Sequence, residues 1–224
     1  MNTFQQNTVS VVVGGTSGIG RAVARALSER PGRVVAAGLG TGLDVADEAA
    51  VAAFFEGLGP VDHVVFTAGS SAPAGAVADV DLAAARAAFD IKFWGALHVA
   101  RAAARQLRPG GTLTLSSGFL ARRTVPGSFV KTAMNAGLEA VAKILARELA
   151  PRRVNVVSPG LTDTEAYAGM ALEARRAMLE RAAAGLPVGR VGRPEDLARG
   201  YLFAIDNPFV TGAVIDIDGG ALIN

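Results

Sequence analysis

The feature that most constrains this 224-residue chain lies near its start. Gly14–Gly15–Thr16–Ser17–Gly18–Ile19–Gly20 separates a β-branched run, Val9 to Val13, from a stretch with apolar residues at helical spacing, Ile19 to Arg30. A short apolar run that stops at a glycine reads as a buried parallel strand. Ile19, Val23, Ala26 and Leu27 mark the inner face of a helix that Pro31–Gly32 ends. Another apolar run, Arg33 to Ala37, follows. Strand, glycine turn, helix and strand open a βαβ unit, whose crossover is right-handed in nearly all proteins. In that setting Gly14 permits the tight turn, Gly18 lets backbone approach a pyrophosphate, and Gly20 lets the helix pack on the strand. The helix N-terminus adds unpaired N–H groups and a partial positive charge for phosphates. The competing reading of the same residues is a turn that needs glycine only for close packing.

Further short apolar runs recur at Val61 to Thr67, Thr112 to Ser117, Val154 to Val157 and Ala213 to Ile217. Helical patterns lie between them, Leu82 to Leu107 and Val130 to Ala150, and a third begins near Pro194–Glu195–Asp196. Alternating strands and helices predict a Rossmann-like doubly wound parallel sheet flanked by helices. With no linker or repeat, residues 1–224 are expected to form one domain. One interval breaks the alternation. From Ala37 the chain passes through Gly38–Leu39–Gly40–Thr41–Gly42 to Asp44, too short for a crossover helix. The sheet is therefore expected to be shortened between its second and third strands, with that helix missing and the third strand vestigial.

Composition narrows the function classes. Half the residues are apolar and the net charge is +2, and the arginines are scattered among acids, so no nucleic-acid partner is expected. There is no cysteine, hence no disulfide or thiolate chemistry, and the two histidines lack partners at metal-ligand spacing. The stretch Met1 to Thr8 is polar without a signal pattern, and no apolar run has the length of a membrane span. These features predict a cytoplasmic protein without a membrane partner or a metal.

From Val9 to Ala221 the chain resembles the short-chain dehydrogenase/reductase family. The glycine loop matches that family's Gly-x-x-x-Gly-x-Gly, and Asp44–Val45 resembles its acidic-aliphatic pair beside the adenine. Thr67–Ala68–Gly69 is similar to its Asn-Ala-Gly, with threonine for asparagine. Arg153–Val154–Asn155 and Pro159–Gly160 with Thr164 match the segment over the nicotinamide, and Gly192–Arg193–Pro194–Glu195–Asp196 and Asp218–Gly219–Gly220 match its C-terminal signature. The resemblance implies an NAD(P)-binding domain whose cofactor contacts are Gly14, Thr16, Ser17, Gly18, Ile19, Gly20, Asp44, Val45, Ala68, Gly69, Lys131, Pro159, Gly160 and Thr164. An acid about 20 positions after the glycine loop normally holds the ribose 2′-hydroxyl of NAD. Gly38–Leu39–Gly40 offers none, so NADP is preferred over NAD, with Thr16, Ser17, Thr41, Arg21 and Arg33 as candidate neighbours of a 2′-phosphate. The resemblance also implies a small-molecule substrate and a homodimer or homotetramer built on the two long alanine-rich helices.

The family's chemistry uses a serine, a tyrosine, a lysine four residues later and an asparagine one helix earlier. Here neither tyrosine, Tyr167 nor Tyr201, stands four residues before a lysine. Lys131 is read at the family lysine, which puts Gly127 at the tyrosine, and Lys92 falls on the asparagine. Ungapped matching from the fifth family strand sets Gly118 on the serine, and the interval to Lys131 is about four residues short. Ser117 is the expected catalytic serine and Ser116 the second choice.

Only three of the 22 basic residues are lysines, and Lys92 and Lys131 both fall on active-site positions. Two amines facing one cavity would push one pKa toward the range useful for proton transfer. The expected catalytic set is thus Ser117, Lys131 and Lys92, in an NAD(P)-dependent oxidoreductase that acts on a carbonyl or alcohol with altered proton delivery. Tyr167 is placed on the substrate lid, more as a lining residue than as a proton donor. The alternatives are a catalytically inactive NAD(P)-binding regulatory or scaffold protein, and an isomerase or dehydratase on the same scaffold.

Overall fold

The computed structural model describes residues 4–69 and 71–224, so the first three residues of the polar opening stretch lie outside the described residues. Six parallel strands form one sheet: β1 (Val9–Val13), β2 (Arg33–Ala37), β3 (Val61–Phe66), β4 (Leu107–Ser116), β5 (Arg153–Pro159) and β6 (Val214–Ile217). Their order across the sheet is β2-β1-β3-β4-β5-β6. The order reverses between β1 and β3, which makes the C-terminal ends of those two strands the topological switch point.

Among the described residues seven α-helices connect the strands: α1 (Gly18–Ser28), α2 (Glu48–Leu58), α3 (Leu82–Phe89), α4 (Gly95–Gln106), α5 (Phe129–Glu148), α6 (Leu172–Ala184) and α7 (Pro194–Asp206). Successive strand residues point to opposite faces, and the core divides accordingly. Val11, Val13, Val64, Phe66, Leu113 and Leu115 pack with residues of α2, α4 and α5. Val12, Val65 and Val157 pack on the other face with Val23 and Leu27 of α1 and Leu197, Tyr201 and Ile205 of α7. Both faces are covered, as a parallel sheet requires. Caps fix the helix starts. The Asp47 carboxylate accepts the Ala50 N–H at the head of α2, and Asp81 accepts from Ala83 and Ala84 at the head of α3.

The shortened interval takes a more extreme form than expected. A single 3₁₀ turn, Leu39–Thr41, follows β2, and Gly42 then adopts a left-handed conformation. Among the described residues no vestigial strand follows, so β2 is the sheet edge and α2 makes the return to β3. The helical pattern from Leu82 to Leu107 is one rod interrupted by a π turn, Asp90–Trp94. Such turns re-aim side chains and concentrate at functional sites. This one carries Lys92.

Candidate active site

A cleft of about 1040 Å³ opens at the switch point. Gly14, Thr16, Ser17, Gly18, Ile19, Gly20, Asp44, Val45, Ala68, Gly69, Lys131 and Thr164 all line it. Its phosphate end is set by backbone packing. A Cβ on Gly20 would stand 2.1 Å from Gly14 O and 2.3 Å from Thr67 Oγ1, so α1 seats against β1 and β3 only with glycine there. Gly18 has φ +50°, and what a Cβ would meet there is the lid, Thr164 and Glu165, at 3.5 Å or more. The Gly18 N–H points the same way and donates to Glu165 Oε2 at 2.9 Å. A carboxylate thus rests on the first turn of α1, where amides have no intrahelical acceptor. That is the donor set a phosphate needs, and it fits a dinucleotide bound across the switch point.

The residues expected around a 2′-phosphate divide. Thr16 and Ser17 line the cleft. Thr41 does not serve, because its hydroxyl both accepts the Gly38 N–H (3.0 Å) and donates to Gly38 O (2.9 Å). Arg21 is paired with Glu165, and Arg33 sits at the opposite end of β2 from the turn that faces the cleft. Pro159 and Gly160 lie behind the cleft rather than on its wall. A Cβ on Gly160 would meet Asp218 O at 2.7 Å, so this glycine lets the end of β5 pass the turn after β6.

At the catalytic end, Lys131 lies in the first turn of α5, exposed to the cleft. Lys92 is part-buried beneath, and its ammonium donates to the backbone carbonyl of Ser117 at 3.0 Å. Burial, with the Lys131 charge as a second cause, lowers its pKa to about 8. The Lys131 charge thus bears on Lys92, which does not itself line the cleft as the expected pair would. Ser117 is not placed as expected for a residue that touches substrate. Its side chain is buried, donates to Glu139 Oε1 at 2.8 Å and does not line the cleft. Glu139 also meets the Arg122 Nε at 3.1 Å, and Arg122 pairs with Asp216 of β6. Ser117 thus holds the loop after β4 in place and offers Lys92 a carbonyl, but its hydroxyl is committed elsewhere. Ser116 is equally committed, donating to Phe66 O and bonded to the Tyr201 hydroxyl, each at 2.6 Å.

Tyr201 is fully buried, and desolvation raises its phenol well above the ordinary range. Tyr167 lines the cleft within a 3₁₀ turn, Glu165–Tyr167, its pKa raised by burial and by Asp163. His63 is a core residue bonded to Thr112, and burial lowers its pKa to about 4. His98 packs on α4 against Val45 O at 2.9 Å. Among the described residues no group of three acidic, histidine or cysteine side chains is placed to hold a metal. No described helix is long and apolar enough to cross a membrane.

Two residues escaped the sequence reading. Asn135 lies one turn after Lys131 on α5, buried, with Oδ1 unpartnered and Nδ2 only 3.0 Å from where a Cβ on Gly118 would stand. Glu165 belongs to no motif, and its partners are distant in sequence.

A doubly wound sheet with a glycine-loop cleft at its switch point defines the dinucleotide-binding Rossmann class. The comparisons narrow this. Residues 39–221 match the family model described as enoyl-(acyl carrier protein) reductase. Carbonyl reductase family member 4 of Danio rerio is 31% identical over 95% of this chain and 97% of its own length. The short-chain dehydrogenase/reductase ucsE of Acremonium sp is 32% identical over 95% of this chain and 94% of its own. A solved small-chain dehydrogenase in complex with NADPH superposes with a TM-score of 0.95 at 53% identity, covering 97% of this chain and 100% of that one. The chain belongs to the short-chain dehydrogenase/reductase family.

Proposed function

We propose that this chain is an NADP-preferring oxidoreductase that interconverts a carbonyl and an alcohol on a small molecule, with an amine, Lys131, in place of a phenol as proton donor. The observation that carries the reading is the lysine pair at the cleft floor: Lys131 on the wall, Lys92 beneath it with its pKa lowered to about 8. The missing acid after β2, and the NADPH complex of the 53%-identical dehydrogenase, support the cofactor choice. When bound, the nucleotide supplies or accepts the hydride. The glycine loop holds its phosphates. The Lys131 ammonium hands a proton to the substrate oxygen in reduction and takes it back in oxidation. Lys92, held by Ser117 O, places a second amine behind it.

Matching Lys131 to the family tyrosine, rather than to its lysine, supports this role. It removes the four-residue deficit, keeps Gly118 at the serine and puts Asn135 at the lysine. The contact of Asn135 with the Gly118 position agrees with that register. The active species is a homodimer or homotetramer in the cytoplasm. Exposed Ala133, Ala136, Ala140 and Ile144 leave an apolar stripe along α5 for a second copy, which light scattering on purified protein tests.

The function is tested by titrating NADPH and NADH fluorescence, then following absorbance loss with a carbonyl panel for wild type and Lys131→Met. Tight NADPH binding in both, with turnover only in wild type, is expected. Binding without turnover by wild type across the panel favours the regulatory or scaffold reading, to which the committed hydroxyl of Ser117 also points.

A further inference from the structure

We infer that Glu165 is an internal anion seated in the phosphate site, which an arriving nucleotide must displace, so that the lid turn acts as a nucleotide-operated latch. The inference rests on the dinucleotide reading of the cleft. Glu165 Oε2 accepts the Gly18 N–H at 2.9 Å, and Oε1 pairs with Arg21 one turn further along α1. Its own backbone N–H, then Arg21 and Gly18, hold its carboxyl below the usual range, so it is an anion there at neutral pH. A carboxylate on the first turn of a helix satisfies the same donors and the same partial charge that a phosphate would. Two anions cannot share them without strong repulsion.

The carboxylate is also free to leave. Its side chain is 46% exposed and that of Arg21 61%, so water solvates both once they part. The lid segment is fixed where it leaves β5. Thr162 pairs with Gly192, and the Asp163 N–H donates to Gly192 O at 2.9 Å, which pins the segment leaving β5. Beyond that point Arg175 of α6 bonds Asp163 and the Thr164 carbonyl, the latter at 3.1 Å. Glu165 and Tyr167 share one 3₁₀ turn on the cleft wall. A shift of that turn that withdraws the carboxylate would carry Tyr167 with it, coupling phosphate arrival to the shape of the substrate end. Arg21, once freed, is left facing the arriving anion.

Fluorescence titration of NADPH against wild type, Glu165→Gln and Arg21→Met tests this. Glu165→Gln should bind roughly tenfold more tightly, the scale of one charge-assisted hydrogen bond no longer competing. Arg21→Met should bind no more tightly than wild type, because it loses a phosphate partner along with the Glu165 anchor. Unchanged or weaker binding by Glu165→Gln overturns the latch while leaving the dinucleotide reading intact. Absence of nicotinamide-nucleotide binding by all three overturns both.

Discussion

The two ends of the cleft are built on different principles. At the phosphate end the work is done by main chain: amides of the first turn of α1, and glycines whose neighbours leave no room for a Cβ. The other end is built from side chains: Lys131 on the wall, Lys92 under it and the Ser117–Glu139–Arg122 network behind. Backbone function tolerates almost no substitution, because the geometry itself is the device. Side-chain function can be transferred from one chemical group to another if the pocket re-tunes the acid. On the proposed function, the contrast accounts for a cofactor cradle kept without a tyrosine four residues before a lysine.

The sharpest way to break the contrast is at the phosphate end. Gly20→Ala puts a methyl 2.1 Å from Gly14 O and should cost roughly 3 kcal/mol or more, with loss of NADPH binding. Chemical denaturation and nucleotide titration read both effects. Next in size, Lys131→Met should lower turnover by about 100-fold or more while NADPH affinity changes little, the signature of a lost proton donor.

The third effect is a pH slope in stability. Folded Lys92 releases its proton near pH 8, whereas the unfolded amine keeps it to 10.5. Between those values the unfolded state binds more protons, so wild-type stability rises with pH across that window. The charged amine destabilises the fold fully below pH 8, by an amount on the order of 3 kcal/mol. Urea denaturation at pH 8 and 10 should show the rise in wild type and its absence in Lys92→Met. Smallest of all, Ser117→Ala should change turnover by less than about threefold and cost about 1 kcal/mol from the lost bond to Glu139. A loss of about 100-fold would return Ser117 to the substrate.

The same division governs how much could be read from the residues alone. The glycine loop, the strands and the shortened interval after β2 were legible, because glycine placement and apolar runs report backbone demands directly. Helices α2 and α6 were not, for different reasons. Glu48–Leu58 is apolar nearly all round, which blurs its period, and Leu172–Ala184 buries no residue fully. Lys92 and Lys131 were legible as rare lysines, but that Lys131 lines the cleft while Lys92 lies beneath it was not. Asn135 is hidden when the lysine at position 131 is matched to the family lysine. The four-residue shortfall, one helical turn, is the signal on which the proposed register rests. For Ser117, no local pattern reveals Glu139, 22 residues away, as the hydroxyl's partner. Glu165 was missed for the same reason, since its contacts to Gly18 and Arg21 span 147 and 144 residues.

The central claim is that an amine pair delivers the proton, and the pH dependence of kcat for carbonyl reduction in wild type and Lys92→Met tests it most directly. Wild-type kcat should fall as pH rises through about 8, where Lys92 deprotonates. In Lys92→Met that fall should be absent, because the group that titrates there is gone. Two superimposable profiles would contradict the account.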